Sequence, residues 1–329
     1  MRARWPTSRI ESIKYRRCIQ PLNIFQTETK TMLQFNAWLR GTWSRWMPVA
    51  GLCAMAYCAM PAATLLYAQE DKTVVEDPEK LFEPREFVGA GGKTLKYRLL
   101  KPAAYNADRE YPVVIFLHGA GERGSDNMAQ LKHGMADFCK AKWRDKYPCY
   151  VIAPQCPEEQ KWVDVDWSAP ANDMPAKTSD SLQLVFELID TMVKDAAVND
   201  NRIYITGLSM GGYGTWDALA RRPSFFAAAV PICGGGDPKT AARFAHVPLW
   251  CFHGDQDNAV PVNRSREMVE ALKAAGGKPK YTEYPGVGHN SWAQTYADPA
   301  VFEWLFTQLR RDPVETTAEQ KVPAKSNDQ

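Results

Sequence analysis

Histidine is scarce in this chain, at five in 329 residues, and none of the five stands at H-E-x-x-H or a comparable ligand spacing. No metal site is therefore expected, and the reactive groups described below call for no cofactor. A surplus of positive charge is missing as well. Nine of the 40 Lys and Arg and two of the 38 acids lie before position 69, which leaves 31 basic against 36 acidic side chains. Nucleic acid, whose phosphates need clustered Lys and Arg, is not expected as a partner. No internal repeat is present. Beyond position 68 the chain carries Cys139, Cys149, Cys156, Cys233 and Cys251, an odd number, so these cysteines cannot all pair within one chain. Cys139 with Cys149 is the pair expected to bond in an exported protein. Cys233 and Cys251 sit in apolar, strand-like runs and read as buried thiols.

One long hydrophobic run is present, "MPVAGLCAMAYCAMPAATLLYA" at 47–68, preceded by Arg40 and Arg45 and ending in small residues near Ala68. A basic flank, an apolar centre and a small-residue end describe a secretory signal peptide over about 40–68, with cleavage near Ala68. Kept uncleaved, the run would be a membrane anchor, since about 20 apolar residues span a bilayer. Pro48 and Pro61 interrupt a continuous helix and polar Gln69 to Lys72 follow at once, which favours cleavage and a secreted or periplasmic product with no stable membrane association. No lipid-attachment pattern is clean, because Leu52 and Tyr57 stand where a small residue should precede the cysteine. Residues 1–31 are long and polar for a signal peptide, so Met32 is the expected start. The expected organisation is an N-terminal extension and signal peptide at 1–68, a linker at 69–84, one catalytic domain at 85–311 and a disordered tail at 312–329, where no apolar residues are able to pack.

From residue 94 onward short apolar runs alternate with helical patterns, the signature of βαβ units and a mostly parallel, doubly wound α/β sheet flanked by helices. Strands are expected at 94–100, 113–118, 149–154, 202–207, 227–233, 248–254 and 280–285. Helices are expected at 180–196, over Met210 to Arg222, and at 265–276, where Gly276 and Gly277 supply the stop.

In such a sheet chemistry gathers at the carboxyl ends of the strands. "IYITGLSMGGYGTW" (203–216) runs from β-branched residues through a G-x-S-x-G pattern into a proline-free, helix-like stretch. Gly207 and Gly211 flank Ser209 and remove the Cβ atoms that would clash in so sharp a strand-to-helix turn. Two further strand ends carry reactive groups. "FHGDQDNAVPV" (252–262) offers Asp255 or Asp257, and "YPGVGHNSW" (284–292) offers His289. Serine, then acid, then histidine is the chain order that accompanies a nucleophile elbow. The serine hydroxyl needs a histidine to take its proton, and the histidine needs a carboxylate to hold its tautomer. "HGAGERG" (118–124) is the loop after the early strand, so the Ala120 and Met210 N–H groups are the expected oxyanion-hole donors. Glu122 and Arg123 read as a structural ion pair, and His118 and His253 as shapers of their loops.

"FLHGAGERG", "GLSMGGYGTW", "HGDQDNAVP" and "GVGHNSW" together resemble the α/β-hydrolase superfamily over about 85–310, in particular secreted carboxylesterases of the polyhydroxybutyrate depolymerase-like and feruloyl esterase-like groups. The resemblance implies a single-domain α/β-hydrolase fold. It also implies that the acid is the second aspartate of H-G-x-x-D-x-x-V-P, which is Asp257 here, with Asp255 tying down the loop. The implied activity is serine carboxylesterase chemistry on acyl or aromatic esters, including polysaccharide- or polyester-linked ones. Trp162 and Trp292 are candidate substrate contacts, with Trp167 and Trp216 behind them, and the polar, proline-rich stretch 155–178 is a candidate lid or specificity loop. A prolyl oligopeptidase-like peptidase, a lipase or depolymerase, and a non-catalytic binding protein are the rival readings. The peptidase is disfavoured because the roughly 260 residues after cleavage leave no room for a propeller domain.

Overall fold

The computed structural model describes residues 76–195 and 197–311, all within the compact unit Glu70–Gln329. The expected signal peptide, its extension and the tail at 312–329 lie outside the described residues. Among the described residues no helix is long and apolar enough to cross a membrane.

Eight strands form one sheet among the described residues: β1 (Glu83–Val88), β2 (Thr94–Leu100), β3 (Tyr111–Leu117), β4 (Tyr150–Pro154), β5 (Val198–Leu208), β6 (Ala228–Ile232), β7 (Trp250–Gly254) and β8 (Lys280–Tyr284). Their spatial order is 1-2-4-3-5-6-7-8. β1 and β2 run antiparallel to their neighbours, and all pairings from β4 through β8 are parallel. The helices are α1 (Pro78–Leu81), α2 (Met135–Phe138), α3 (Ala141–Lys146), α4 (Asp180–Asp195), α5 (Met210–Arg221), α6 (Asn263–Ala274), α7 (Trp292–Ala297) and α8 (Pro299–Thr307).

The sheet is covered on both faces, which is why its central strands are apolar without alternation. On one face Val113, Ile115 and Leu117 pack with Leu182, Val185, Ile189, Trp216 and Met268 from α4, α5 and α6. On the other, Val114 and Phe116 pack with Met135, Trp143, Tyr296, Phe302 and Phe306 from α2, α3, α7 and α8. This three-layer arrangement is the doubly wound sheet expected from the sequence.

Two expectations about the fold need correction. The stretch 69–84 is not all linker. Asp77 caps α1 by accepting from the Glu79 N–H, Pro78 occupies the first turn, and Phe82 is fully buried. β1 then pairs with β2 as an edge strand with one solvated face. Cys139 and Cys149 are free thiols, each enclosed in the apolar cluster under α2 and α3, where burial pushes both up to about 12. Sequence proximity alone did not join them in a disulfide. The pairs α2/α3 and α7/α8 were also not anticipated.

At the β5–α5 junction Ser209 takes φ +54°, a conformation that side chains rarely adopt. A Cβ on Gly207 would lie 2.3 Å from the Gly211 carbonyl oxygen, and one on Gly211 would lie 1.9 Å from the Leu117 carbonyl of β3. Neither obstacle is a flexible side chain, so the backbone itself would have to move. Gly211→Ala is accordingly expected to cost upward of about 3 kcal/mol, the range of severe core lesions. A urea titration followed by fluorescence checks this, and an unchanged midpoint would show that the junction relaxes freely.

Candidate active site

Three strand ends converge here. Ser209 follows β5, Asp257 lies three residues past β7, and His289 follows β8. Ser209 is held by its N–H donating to the Ile232 carbonyl at 3.0 Å and by its carbonyl receiving the Tyr213 N–H at 3.1 Å. His289 Nε2 lies 2.9 Å from Ser209 Oγ, and His289 Nδ1 lies 2.7 Å from Asp257 Oδ2. A carboxylate only accepts, so Nδ1 carries the ring proton and Nε2 is free to accept from the serine hydroxyl.

Asp257 is saturated with donors. Its Oδ1 accepts from the Ala259 and Val260 N–H groups at 2.8 and 2.9 Å, and its Oδ2 faces both His289 and His253. Burial alone would raise this carboxyl. The hydrogen bonds from His253, His289 and Val260 outweigh that penalty and hold it well below the usual carboxylate range. Asp255, by contrast, accepts from the Gly286 N–H at 2.7 Å and ties the loop after β7 to the loop after β8. Cys233 Sγ, Asp257 and His289 offer sulfur, oxygen and nitrogen within 4.8 Å of one another. Those atoms are already committed: both His289 nitrogens and all of the Asp257 acceptor positions are hydrogen bonded, and burial pushes the Cys233 thiol up.

The loop after β3 packs directly on the serine, since a Cβ on Gly119 would sit 3.6 Å from Ser209 Cβ. Ala120 opens a 3-10 turn in this loop and Met210 opens α5. Among the described residues neither N–H has a protein acceptor. Trp162 does not line the cleft as expected. It is fully buried, donates Nε1–H to the His118 carbonyl at 3.0 Å, and so braces the loop from behind. Trp216 is likewise buried. Trp292 is half-buried and sets its ring edge-on to His289 at 5.3 Å. Glu122 and Arg123 do not pair. Glu122 is buried 3.4 Å from His133 Nε2, while Arg123 donates to the Ala120 carbonyl and lies over the Trp167 ring.

The stretch 155–178 is tied down along its length. Tyr213 donates to the Trp167 carbonyl, fully buried Arg264 to the Pro170 carbonyl and Asn172 Oδ1, and Arg221 to the Pro175 and Lys177 carbonyls. It forms a fixed wall beside α5.

A family model described as Phospholipase/Carboxylesterase matches residues 103–302. The chain belongs to that family. A solved thermostable esterase is 42% identical, with a TM-score of 0.66, over 70% of this chain and 64% of its own. A probable carboxylesterase of Oryza sativa subsp. japonica is 25% identical over 206 residues, 57% of this chain and 75% of that protein. An uncharacterized secreted protein of Arthroderma benhamiae is 26% identical over 239 residues, 60% of this chain and 24% of that protein. The match therefore spans about a quarter of that relative and just under two thirds of the solved esterase. As a member of the phospholipase/carboxylesterase family the chain has the α/β-hydrolase fold, and its sheet order and helix layers are those of this fold.

In this carboxylesterase-family chain the support of the Gly119–Ala120 loop depends on a neutral histidine. His118 Nδ1 faces the Gly119 carbonyl at 2.6 Å, and its Nε2 accepts the Cys156 N–H at 2.9 Å, which leaves no place for a second ring proton. Burial pushes this imidazole down to about 4. The unfolded imidazole takes its proton as pH falls through about 6.5, whereas the folded one stays neutral to about 4. Stability is thus unaffected above that window and declines within it, by roughly 3 kcal/mol in all. Urea midpoints of the wild type are expected to fall between pH 6.5 and 4 more steeply than those of His118→Gln. Parallel slopes would assign the acid sensitivity to another group.

Proposed function

We propose that the protein is an exported serine carboxylesterase working through an acyl-enzyme. The observation that carries this reading is the unbroken chain from Ser209 Oγ through His289 to Asp257 Oδ2, with links of 2.9 and 2.7 Å, at three strand ends of an α/β-hydrolase sheet. Ser209 attacks the ester carbonyl while His289 Nε2 takes its proton. Asp257 keeps the other ring nitrogen protonated and stabilises the imidazolium that forms. Met210 and Ala120 N–H groups receive the oxyanion, since donors already aimed at developing charge need no reorganisation. His289 then returns the proton to the departing alcohol, and water enters by the same route in reverse to release the acid.

Export rests on the apolar run at 47–68 with its basic flank, and gains support from the secreted relative of Arthroderma benhamiae. Short acyl and aromatic esters are the proposed substrates. The half-buried Trp292 ring beside His289 offers an apolar surface to such a group. An alkoxide leaves more readily than an amine, so peptides should be poor substrates.

Ser209→Ala is expected to lose about 10⁴- to 10⁶-fold in kcat with the fold intact, because members of such a set act as a unit. A fluorophosphonate probe should label Ser209 alone, and labelling that survives the substitution would put the nucleophile elsewhere. Asp257→Asn is expected to lose about 10⁴-fold, since it favours the wrong imidazole tautomer. Asp255→Asn should cost much less, and the reverse ranking would exchange their roles. For substrate class, kcat/KM is expected to be highest for p-nitrophenyl acetate, butyrate or methyl ferulate. Preference for a decanoate would move the reading to a lipase, and preference for a prolyl-peptide anilide would defeat it. Recovery of the chain in the membrane fraction with residues 47–68 intact would replace export by anchoring.

A further inference from the structure

His253 is the penultimate residue of β7 and is fully buried. Its Nε2 lies 3.1 Å from Asp257 Oδ2 and 3.1 Å from the Val260 carbonyl, and its Nδ1 lies 2.7 Å from Ser265 Oγ on α6. Both neighbours of Nε2 are acceptors only, so this nitrogen carries a proton whether the ring is neutral or charged. The single Ser265 hydroxyl proton goes either to Nδ1 or to the Gly234 carbonyl 3.1 Å away, and neither choice changes what Nε2 does. One carboxylate oxygen therefore receives two imidazole N–H groups, from His289 at 2.7 Å and from His253 at 3.1 Å.

We propose that His253 is a positioning residue for Asp257, acting through the carboxylate on His289. The inference rests on the reading of Ser209, His289 and Asp257 as the reacting groups. A carboxylate held by His289 alone on Oδ2 would be free to tilt out of the imidazole plane. With the loop N–H groups on Oδ1 and a second ring on Oδ2, its rotamer is fixed from both ends. The second donor also withdraws electron density from the oxygen that stabilises protonated His289, which keeps that base from becoming too basic. Removing His253 has two separable consequences: a looser Asp257, which lowers kcat, and a more basic His289, which moves the acid limb of the pH profile upward.

Other groups bear on this set. The Cys233 thiol just past β6 lies within 4.8 Å of Asp257 and His289, Glu283 on β8 is paired opposite His253 across the sheet, and the Trp292 ring of α7 stands edge-on to His289. All are left untouched by the variants below, so they enter both sides of each comparison equally.

The test is kcat and kcat/KM for p-nitrophenyl butyrate against pH in the full chain, with melting temperatures taken alongside. His253→Leu is expected to lose about 10- to 100-fold in kcat, as outer partners of metal-bound histidines do. Its acid limb in kcat/KM should rise by about half a unit. His253→Gln, which keeps an amide donor toward Oδ2, should recover most of both changes. An acid limb that stays put or falls in His253→Leu overturns the proposal, as does a Gln variant that behaves like Leu. Should the Leu variant not fold, Ser265→Ala removes the Nδ1 partner that holds the ring, so Nε2 is kept on Oδ2 less firmly and the limb should move the same way by less. An unmoved limb there also overturns the proposal. Wild-type protein whose fluorophosphonate label lies outside Ser209 would instead sink the site on which this role depends.

Discussion

The reversal of the chain at Ser209 is the constraint on which the rest depends. β5 must stop and α5 must begin within one residue, and the first turn of α5 must press so close to β3 that the Gly211 position has no room for a Cβ beside the Leu117 carbonyl. The strained backbone at Ser209 is compensated by its hydrogen bonds to Ile232 and Tyr213 and by a helix buried over nearly its whole length. Because β3 and β5 are neighbours in the sheet, that approach also sets the loop after β3 directly against the serine. Ser209 and the loop amides are thus positioned by a single packing contact between a helix and two strands.

Electrostatic order around the serine is maintained by groups that never reach the cleft. His118 must stay neutral because one ring nitrogen faces a carbonyl and the other accepts an amide proton, and buried Trp162 holds the same residue's carbonyl. Asp257 must stay ionised because every acceptor position is filled. The same buried environment thus drives two groups in opposite directions. Burial with a fixed neutral hydrogen-bond pattern pushes an imidazole down, while burial with abundant donors leaves a carboxylate charged.

Much of this was legible in the sequence where local chemistry decides. The strands from 94 onward and the glycines beside Ser209 follow from β-branched runs and steric need, whereas the division of Asp255 from Asp257 comes only with the family resemblance. β1 escaped notice because Pro84 and its alternation of exposed residues make a six-residue edge strand look like linker. α8 did carry signals, an Asp298 cap and Pro299 at its start, but its apolar run is too short for periodicity to separate it from a strand. What sequence could not reveal is pairing set by tertiary packing. Glu122 meets His133 rather than its neighbour Arg123, Trp162 turns inward rather than to substrate, and His253 joins a carboxylate already held by His289. The H-G-x-x-D spacing in "HGDQD" held the one available hint for His253, since a loop that short returns the aspartate to the ring that precedes it.

The central claim is that a covalent acyl group passes through Ser209. It is tested most directly by mixing the protein with p-nitrophenyl butyrate, quenching in acid within milliseconds, and mapping the product by peptide mass spectrometry. The account predicts a butyryl adduct on the peptide containing Ser209, formed in a burst of about one nitrophenolate per chain. Steady hydrolysis with no adduct, or an adduct on any other residue, would contradict it.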